Sequence, residues 1–246
     1  MNPGAALFAR YAYPPNELGY CGPDGAPTLL QQQVAGLGTE AFVEVASGFD
    51  GAWPYLELLA AAEGSEPLDA TVVGSYWVGG PLLERAEPAV FEAWLTGRFR
   101  AQPGVDWGLV TDLIRAGARP HHSFHVLAVY PWLGLLRAGH EGRPLEVLDR
   151  CRIRAGRVVE VEEDSAVVRS EPLTWDGRAL GLGEPVQERV TLATEGYRPV
   201  GGLGDGDLVA LHWAWVCDRL DEEQERALRD ITLRHLELVN GVLGAS

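Results

Sequence analysis

The stretch that most constrains the fold is CRIRAGRVVEVEEDSAVV, from Cys151 to Val168. It holds two valine-rich segments joined by an acidic turn, a pattern typical of two short antiparallel strands. Trp175-Asp176-Gly177-Arg178 adds the Asp-Gly signal of a tight hairpin turn. We predict strands at about 147–162, 165–172, 186–193 and 207–216. Several short strands in so few residues indicate a small barrel or a partly open sheet.

The segment after the last predicted strand indicates a closing helix. Asp221 is followed three residues later by Gln224, the spacing of a capping box, and the acidic residues at 222 and 223 favour the positive end of a helix dipole. Ala227, Leu228 and Ile231 give this helix an apolar side that can pack on the barrel.

The first part of the chain has the apolar spacing of helices. We predict helices at 29–37 after a Thr28 cap, at 39–45, at 53–62, at 87–99 and at 107–116. Residues 1–27 contain Pro3, Pro14, Pro15, Pro23 and Pro27, and we predict an extended arm with turns there. The polar stretch at 139–146 marks a domain boundary. The expected fold class is α+β, with a mainly α-helical domain at 1–145 and a β-barrel with a C-terminal helix at 146–246.

Charge and cysteine content narrow the classes of partner. A formal net charge of -15 and a pI near 4.8 argue against binding to nucleic acid or to an anionic membrane surface. The longest apolar segment, at 125–136, is short for a bilayer span and contains Pro131, and no signal peptide is evident. Three scattered cysteines do not form a disulfide framework, so we expect a reducing cytoplasm.

Cys151 and His212 are the candidate metal ligands. The first and last strands of a small barrel can be neighbours, so a thiol in the first and an imidazole in the last can meet. A thiolate with an imidazole suits iron, zinc or copper. Arginines surround the thiol, where they can favour its ionised form or recognise an anionic ligand: Arg150, Arg152, Arg154 and Arg157. The alternative is that Cys151 is a small hydrophobic strand residue and His212 a hydrogen-bonded barrel residue.

The histidines of RPHHSFH form a second, weaker candidate. If Pro120 opens a helix, His121 and His125 lie one turn apart on one face, as helical zinc ligands often do. No HExxH motif accompanies them, and the alternative is that His121, His122 and His125 cap and pack a buried helix. Cys21, in the turn GYCGPDG, is interpreted as a structural thiol.

The region from Cys151 to Asn240 resembles the HypC/HupF/HybG family of [NiFe]-hydrogenase maturation chaperones. That family begins with Cys, followed by a Gly-Lys-Val-Val run, an acidic turn and Ala-Val-Val, and later has Gly-Asp, an apolar strand, His and Leu-Asp-Glu-Glu. The corresponding residues here are Cys151, Gly156, Arg157, Val158, Val159, Glu160, Asp164, Ala166, Val167, Val168, Gly206, Asp207, 208–211, His212 and 220–223. The N-terminal part resembles an uncharacterised actinobacterial family associated with hydrogenases.

The resemblance implies an OB-like β-barrel that carries the Fe(CN)2CO precursor of the hydrogenase active site. Cys151 and His212 would be its iron ligands, and the partners would be a HypD-like scaffold protein and the large-subunit precursor of a [NiFe]-hydrogenase. The chain departs from the family because its Cys is internal rather than next to the initiator Met, and because Ala155 replaces a Pro before the Gly.

Three functional hypotheses follow. The first is a maturation factor that is not an enzyme and has no catalytic residue. The second is a metal-free interaction module or assembly subunit of a hydrogenase complex. The third is a metalloenzyme whose site includes His121 and His125.

Overall fold

The computed structural model describes residues 2–23, 29, 39–100, 104–140, 142–194 and 197–244. The N-terminal part of the chain is a layer of helices that ends in a π-helical turn and two further helices. They are α1 (Pro3–Glu17), α2 (Thr39–Ser47), α3 (Trp53–Glu63), α4 (Ala70–Trp77), the 3-10 helix Pro81–Arg85, α5 (Pro88–Phe99), α6 (Trp107–Arg115), the short turn His122–Phe124, the π-helical turn His125–Val129, α7 (Trp132–Arg137) and α8 (Gly142–Cys151). The predicted helices at 39–45, 53–62, 87–99 and 107–116 are confirmed; the one after Thr28 lies outside the described residues except at Leu29.

The N-terminus is a helix, so the predicted extended arm is wrong. Asn2 caps α1 by accepting a hydrogen bond from the backbone N–H of Gly4, and Pro3 occupies the first turn, where a missing N–H costs nothing. Pro14 and Pro15 lie in the last part of α1 without ending it. The helix buries Phe8 and Tyr11 against the other helices.

The second part of the chain is a β-barrel, which confirms the α+β class and the OB-like barrel. Its strands are β1 (Arg154–Val161), β2 (Ser165–Ser170), β3 (Leu173–Trp175), β4 (Leu180–Leu182), β5 (Val186–Thr191), β6 (Leu208–His212) and β7 (Trp215–Leu220). Within the described residues the closed barrel has the order β1-β2-β5-β7-β6, and β3 and β4 form a separate hairpin. The predicted strand at 207–216 is in fact the hairpin of β6 and β7, with Trp213 at a positive φ of 54° in its turn.

The closing helix α9 (Glu222–Gly244) begins as its capping box predicts. The Asp221 carboxylate accepts from the backbone N–H of Gln224 at 2.8 Å, and the Gln224 side chain accepts from the backbone N–H of Asp221 at 2.9 Å. No helix within the described ranges has both the length and the apolar character to cross a bilayer.

The hydrophobic core runs from the helical layer onto the outer face of the barrel. Alternate residues of β6 face opposite ways: Val209 and Leu211 lie in the barrel interior, whereas Ala210 belongs to the core shared with the helices. His212, two residues beyond Ala210, therefore faces the helical layer. The domain boundary near residue 145 stays a prediction. Buried apolar residues from both sides of it belong to one core cluster.

Candidate metal centre

The structure brings Cys151 and His212 together, but not through the element predicted for Cys151. Cys151 is the last residue of α8, so the prediction that it opens a strand is wrong. His212 ends β6, with β7 still to follow, so it is not in the last strand either. Arg154 of β1 pairs with Leu211 of β6, and this register places the residues before β1 beside the residues after β6.

A third ligand-type residue, His122, joins the pair. Among the described residues, His122, Cys151 and His212 form a group whose potential ligand atoms all lie within 4.8 Å of one another. All are buried, with only 2% of Cys151 exposed. His122 belongs to the predicted histidine cluster, yet nothing in its sequence spacing links it to residues of the barrel. We refer to these three residues as the inner site.

The tautomer of His212 is set by the backbone of α1. His212 Nδ1 lies 2.7 Å from the carbonyl oxygen of Tyr11, and because a carbonyl only accepts, Nδ1 carries the proton. Nε2 then holds a lone pair, and it is buried with no hydrogen-bond partner in the part of the chain that the structure describes. An unpaired buried nitrogen is costly, and either a cation or a water molecule in the adjoining cavity would satisfy it.

His122 is held at both ring nitrogens. Its Nε2 lies 2.8 Å from the carbonyl oxygen of Cys151 and its Nδ1 3.1 Å from the hydroxyl of Tyr76, which is itself 2.5 Å from the carbonyl oxygen of Gly51. Each of these contacts needs one proton to be a hydrogen bond. A neutral imidazole and a phenol supply only one proton each, so one contact is left without a hydrogen.

A cation bound at Nε2 of His122 removes this shortage. The ring then keeps its proton on Nδ1 and donates to Tyr76, whose hydroxyl donates to Gly51, and Nε2 no longer needs a proton. A metal-binding histidine whose other nitrogen donates to a fixed partner is the usual arrangement at protein metal sites. The carbonyl oxygen of Cys151 lies 2.8 Å from the same nitrogen, so it has to move for a cation to bind there.

Burial keeps all three residues uncharged at neutral pH. Burial lowers the pKa of His122 to about 4. Burial, and then repulsion between the protonated forms of His122 and His212, hold the pKa of His212 well below its usual range. Burial, and then the nearby Cys21, raise the pKa of the Cys151 thiol far above its usual range. A metal ion that binds here must displace the thiol proton, and its charge offsets that of the thiolate.

The arginines around Cys151 do not favour its ionised form, contrary to the sequence-based expectation, because they are paired elsewhere. Arg150 and Arg154 donate to the carboxylate of Glu188, Arg152 donates to the Asp149 carboxylate and the carbonyl of Glu171, and Arg157 donates to the carbonyl of Gly206. Arg154 also donates to the carbonyl of Trp213 at 2.8 Å. These contacts fasten the ends of α8 and β6 to each other and so position the inner site.

The inner site lies in a small enclosed cavity. Trp77 packs against both histidine rings, with centroid distances of 4.6 Å to His122 and 5.6 Å to His212. The cavity has a volume of about 10 Å³, and its wall includes Pro15, Cys21 and Tyr130. That volume is close to the space that one water molecule needs.

The weaker candidates, His121 and His125, lie in separate networks. Nδ1 of His121 accepts from the backbone N–H of Ser123 at 3.0 Å, and the Ser123 hydroxyl links it to His235. His125 lies against Tyr55, 3.0 Å from Nδ1 to the hydroxyl oxygen. In the described part of the chain neither belongs to the group formed by the inner site. Their role as metal ligands stays a prediction.

Comparison with known proteins identifies the family but gives no named relative. Neither the curated proteins nor the solved structures contain a match. A family model, described as a family of unknown function, matches residues 1–246. The chain therefore belongs to the family of unknown function DUF6390.

Proposed function

We propose that this protein is a maturation factor for a [NiFe]-hydrogenase, and that it holds iron through Cys151, His212 and His122. The observation that carries the proposal is the meeting of Cys151 and His212. Resemblance to the HypC/HupF/HybG family assigns both as ligands, they are far apart in the sequence, and their ligand atoms lie within 4.8 Å of each other. The unpaired Nε2 of His212 supports a ligand role independently of that resemblance.

The donor set suits the metal. A thiolate with imidazoles prefers iron, copper or zinc over magnesium and calcium. The third residue, His122, is an addition to the two ligands that the resemblance implies. Such a set leaves a coordination position for a partner's ligand or for a small molecule bound to the metal.

The volume of the cavity limits which form of iron can fit beside the three ligands. At about 10 Å³ it has room for an ion but not for the diatomic ligands of Fe(CN)2CO. The cover over the inner site consists of the end of α1 and the turn that follows, which contribute Pro15 and Cys21 to the cavity wall. We propose that this cover moves aside when Fe(CN)2CO is loaded, since Cys151 is internal to the chain and cannot reach a partner as a free end.

The partners in this proposal are a HypD-like scaffold protein, which supplies the iron fragment, and the large-subunit precursor that receives it. The protein acts as a carrier and not as an enzyme, and it works in the cytoplasm. Transfer to a partner requires that the ligands release the metal, and the high pKa of Cys151 favours release because the thiolate readily takes up a proton.

Infrared spectroscopy with metal analysis tests the proposal. The protein is purified anaerobically after co-expression with the maturation proteins of its own organism, as wild type and as Cys151→Ser, His212→Gln and His122→Gln. Cys217→Ser is the matched control, because Cys217 is equally buried but lies outside the inner site. We expect cyanide and carbonyl bands and bound iron in the wild type and the control, and their loss in the other variants. Equal iron and equal bands in Cys151→Ser would overturn the proposal.

A second candidate function, the metal-free interaction module, is favoured by a groove on the barrel. The groove has a volume of about 350 Å³ and lies between β1, β2 and α9. Its walls carry Arg157, Arg169 and Arg229 against Glu171 and Glu225, an excess of one positive charge in a chain of net charge -15, because the buried Arg152 is paired with Asp149. This charge suits a partner segment that bears carboxylates.

Binding to the purified large-subunit precursor separates the two candidates. An interaction module binds equally well with Cys151→Ser and is weakened by Arg169→Ala at the groove. A metal carrier binds the precursor differently with and without iron. Its binding is weakened by Cys151→Ser and is unchanged by Arg169→Ala.

A further inference from the structure

A second set of ligand-type atoms surrounds Gly51, at the start of α3. A Cβ atom placed on Gly51 would lie 3.1 Å from Nε2 of His125, 3.3 Å from the hydroxyl oxygen of Tyr130 and 3.5 Å from Sγ of Cys21. These three atoms come from separate segments of the chain, and all of them lie around the space beside the Gly51 Cα, which a side chain at this position would narrow. We call Cys21, His125 and Tyr130 the outer site.

The histidine of the outer site has an unpaired nitrogen. His125 is 1% exposed, and its Nδ1 lies against the Tyr55 hydroxyl at 3.0 Å. Its Nε2 is buried and has no hydrogen-bond partner within the described ranges. A buried imidazole nitrogen without a partner, close to the same position as a thiol, is an observation separate from the presence of the cysteine.

The outer site lines a pocket that adjoins the inner cavity. The pocket has a volume of about 190 Å³, and its walls include Cys21, Gly51, His125 and Tyr130. Cys21, Gly51 and Tyr130 also form part of the wall of the inner cavity. The two cavities thus share part of their walls, and the wall of the larger one includes the exposed Asp50.

The charge of the surroundings favours a cation. Asp50 is close enough to Cys21 that its charge raises the pKa of the thiol, although burial is the larger cause of a pKa of about 11. The whole chain is strongly acidic, which raises the local concentration of divalent ions. A thiol and an imidazole then select the softer or borderline ions, such as Fe²⁺ and Zn²⁺.

We propose that Cys21 and His125, with Tyr130 beside them, bind a divalent transition-metal ion in the space between their side chains next to Gly51, separately from the iron held by His122, Cys151 and His212. Binding releases the thiol proton of Cys21 to solvent. The binding of an ion at the outer site does not rest on the proposed function.

Gly51→Ala tests the outer site without removing a ligand. The added methyl group would lie 3.1–3.5 Å from the three ligand atoms and so narrow the space between them. The φ angle of Gly51 is not in the left-handed region, so alanine adds no backbone strain there, although His125 and Tyr130 must shift slightly to admit it. Cys21→Ser removes a ligand instead, and Cys217→Ser is the control for loss of a buried thiol. Circular dichroism establishes that each variant is folded.

The measurement is a Co²⁺ titration of the chelator-treated protein, followed by thiolate-to-cobalt absorption. Each site contributes one thiolate, so we expect the saturated absorption to fall by about half in Gly51→Ala, in Cys21→Ser and in Cys151→Ser, and not in Cys217→Ser. The double variant Gly51→Ala with Cys151→Ser should show no such absorption.

The outcomes distinguish the outer site from the proposed function. Full absorption in both Gly51→Ala and Cys21→Ser would overturn the outer site, whatever happens at Cys151. A signal that is unchanged in Cys151→Ser but abolished by Gly51→Ala would leave the outer site standing and reject the inner one.

Discussion

The carbonyl oxygen of Tyr11 accepts a hydrogen bond from Nδ1 of His212 at 2.7 Å, and a proline four residues further along α1 leaves that oxygen free. In an α-helix the N–H of residue 15 would donate to the carbonyl of residue 11, but Pro15 has no N–H. The helix thus supplies an acceptor at the place where the barrel supplies an imidazole. This contact directs Nε2 of His212, with its lone pair, toward the inner site.

Pro15→Ala restores the N–H and makes it compete with His212 for the Tyr11 carbonyl. We expect the metal dissociation constant of the inner site to rise by about tenfold, because partners that orient a ligand have effects of this size. The nitrogen chemical shifts of His212 should change from a single Nδ1–H tautomer to a mixture. Co²⁺ competition titrations and ¹⁵N NMR provide the measurements.

Pro14→Ala is the matched control for Pro15→Ala. It restores an N–H to the carbonyl of Arg10, which takes no part in the contact with His212. A rise in the dissociation constant that is the same in both variants would show that the stiffness of α1 matters and the Tyr11 carbonyl does not.

Tyr76→Phe removes the hydroxyl between His122 and Gly51. We expect the inner site to lose metal affinity by about tenfold to a hundredfold, because Nδ1 of His122 loses its acceptor. The free energy of unfolding should fall by about 1–3 kcal/mol, since the buried carbonyl of Gly51 is left unpaired. Metal titration and urea denaturation measure the two effects.

Tyr11→Phe is the control for Tyr76→Phe. Tyr11 is also fully buried and stacks on Trp77 at 5.3 Å, but within the described residues its hydroxyl has no hydrogen-bond partner. Loss of that hydroxyl should leave metal affinity unchanged. Equal losses in the two variants would mean that the tyrosine rings, and not the hydroxyl relay, support the site.

Much of the inner site follows from the sequence, and the part that does not depends on packing between the two layers. Cys151 and His212 were expected to meet because strands of a small barrel are neighbours, and they do so through the pairing of β1 with β6. His122 comes from the helical layer. Its position beside Cys151 depends on how the helices pack against the outer face of the barrel. No periodic pattern in the sequence predicts that packing.

Two errors in secondary structure have physical reasons. The segment before β1 contains Val147, and valine favours strands, yet Pro144, Val147, Leu148 and Cys151 are buried at the spacing of a helix. In α1 the prolines indicate a broken chain, but Pro3 sits in the first turn, and the Tyr11 carbonyl that Pro15 leaves unbonded accepts from His212 instead.

Glu188→Gln tests the ion pair that holds the barrel beside α8. The Glu188 carboxylate accepts from Arg150, Arg154 and Ser170, and the Arg154 side chain is only 1% exposed. Removing the carboxylate charge leaves a buried guanidinium without its counter-ion, so we expect the free energy of unfolding to fall by about 3 kcal/mol. Glu184→Gln, at an exposed position nearby, should have no effect in the same urea denaturation series.

The stability of the metal-free protein should fall steeply as the pH drops from about 6.5 to 4. Burial lowers the pKa of His122 to about 4 and the pKa values of His125 and His235 to about 3, and it lowers those of His121 and His212 as well. The unfolded chain binds protons at these histidines at a higher pH than the folded chain does. Their contribution to stability is therefore complete above the unfolded pKa and is lost as the pH falls toward the folded one.

Urea denaturation at a series of pH values measures this dependence. Each histidine that is protonated only in the unfolded state contributes a slope of about 1.4 kcal/mol per pH unit, and His122 alone accounts for about 3 kcal/mol across the interval. His122→Gln should lower the slope of the free energy of unfolding against pH by the contribution of one histidine. The replacement of the exposed His140 by Gln should leave that slope unchanged. If the free energy of unfolding of the wild type did not change between pH 6.5 and 4, the pKa values of these histidines would be the same in the folded and the unfolded protein.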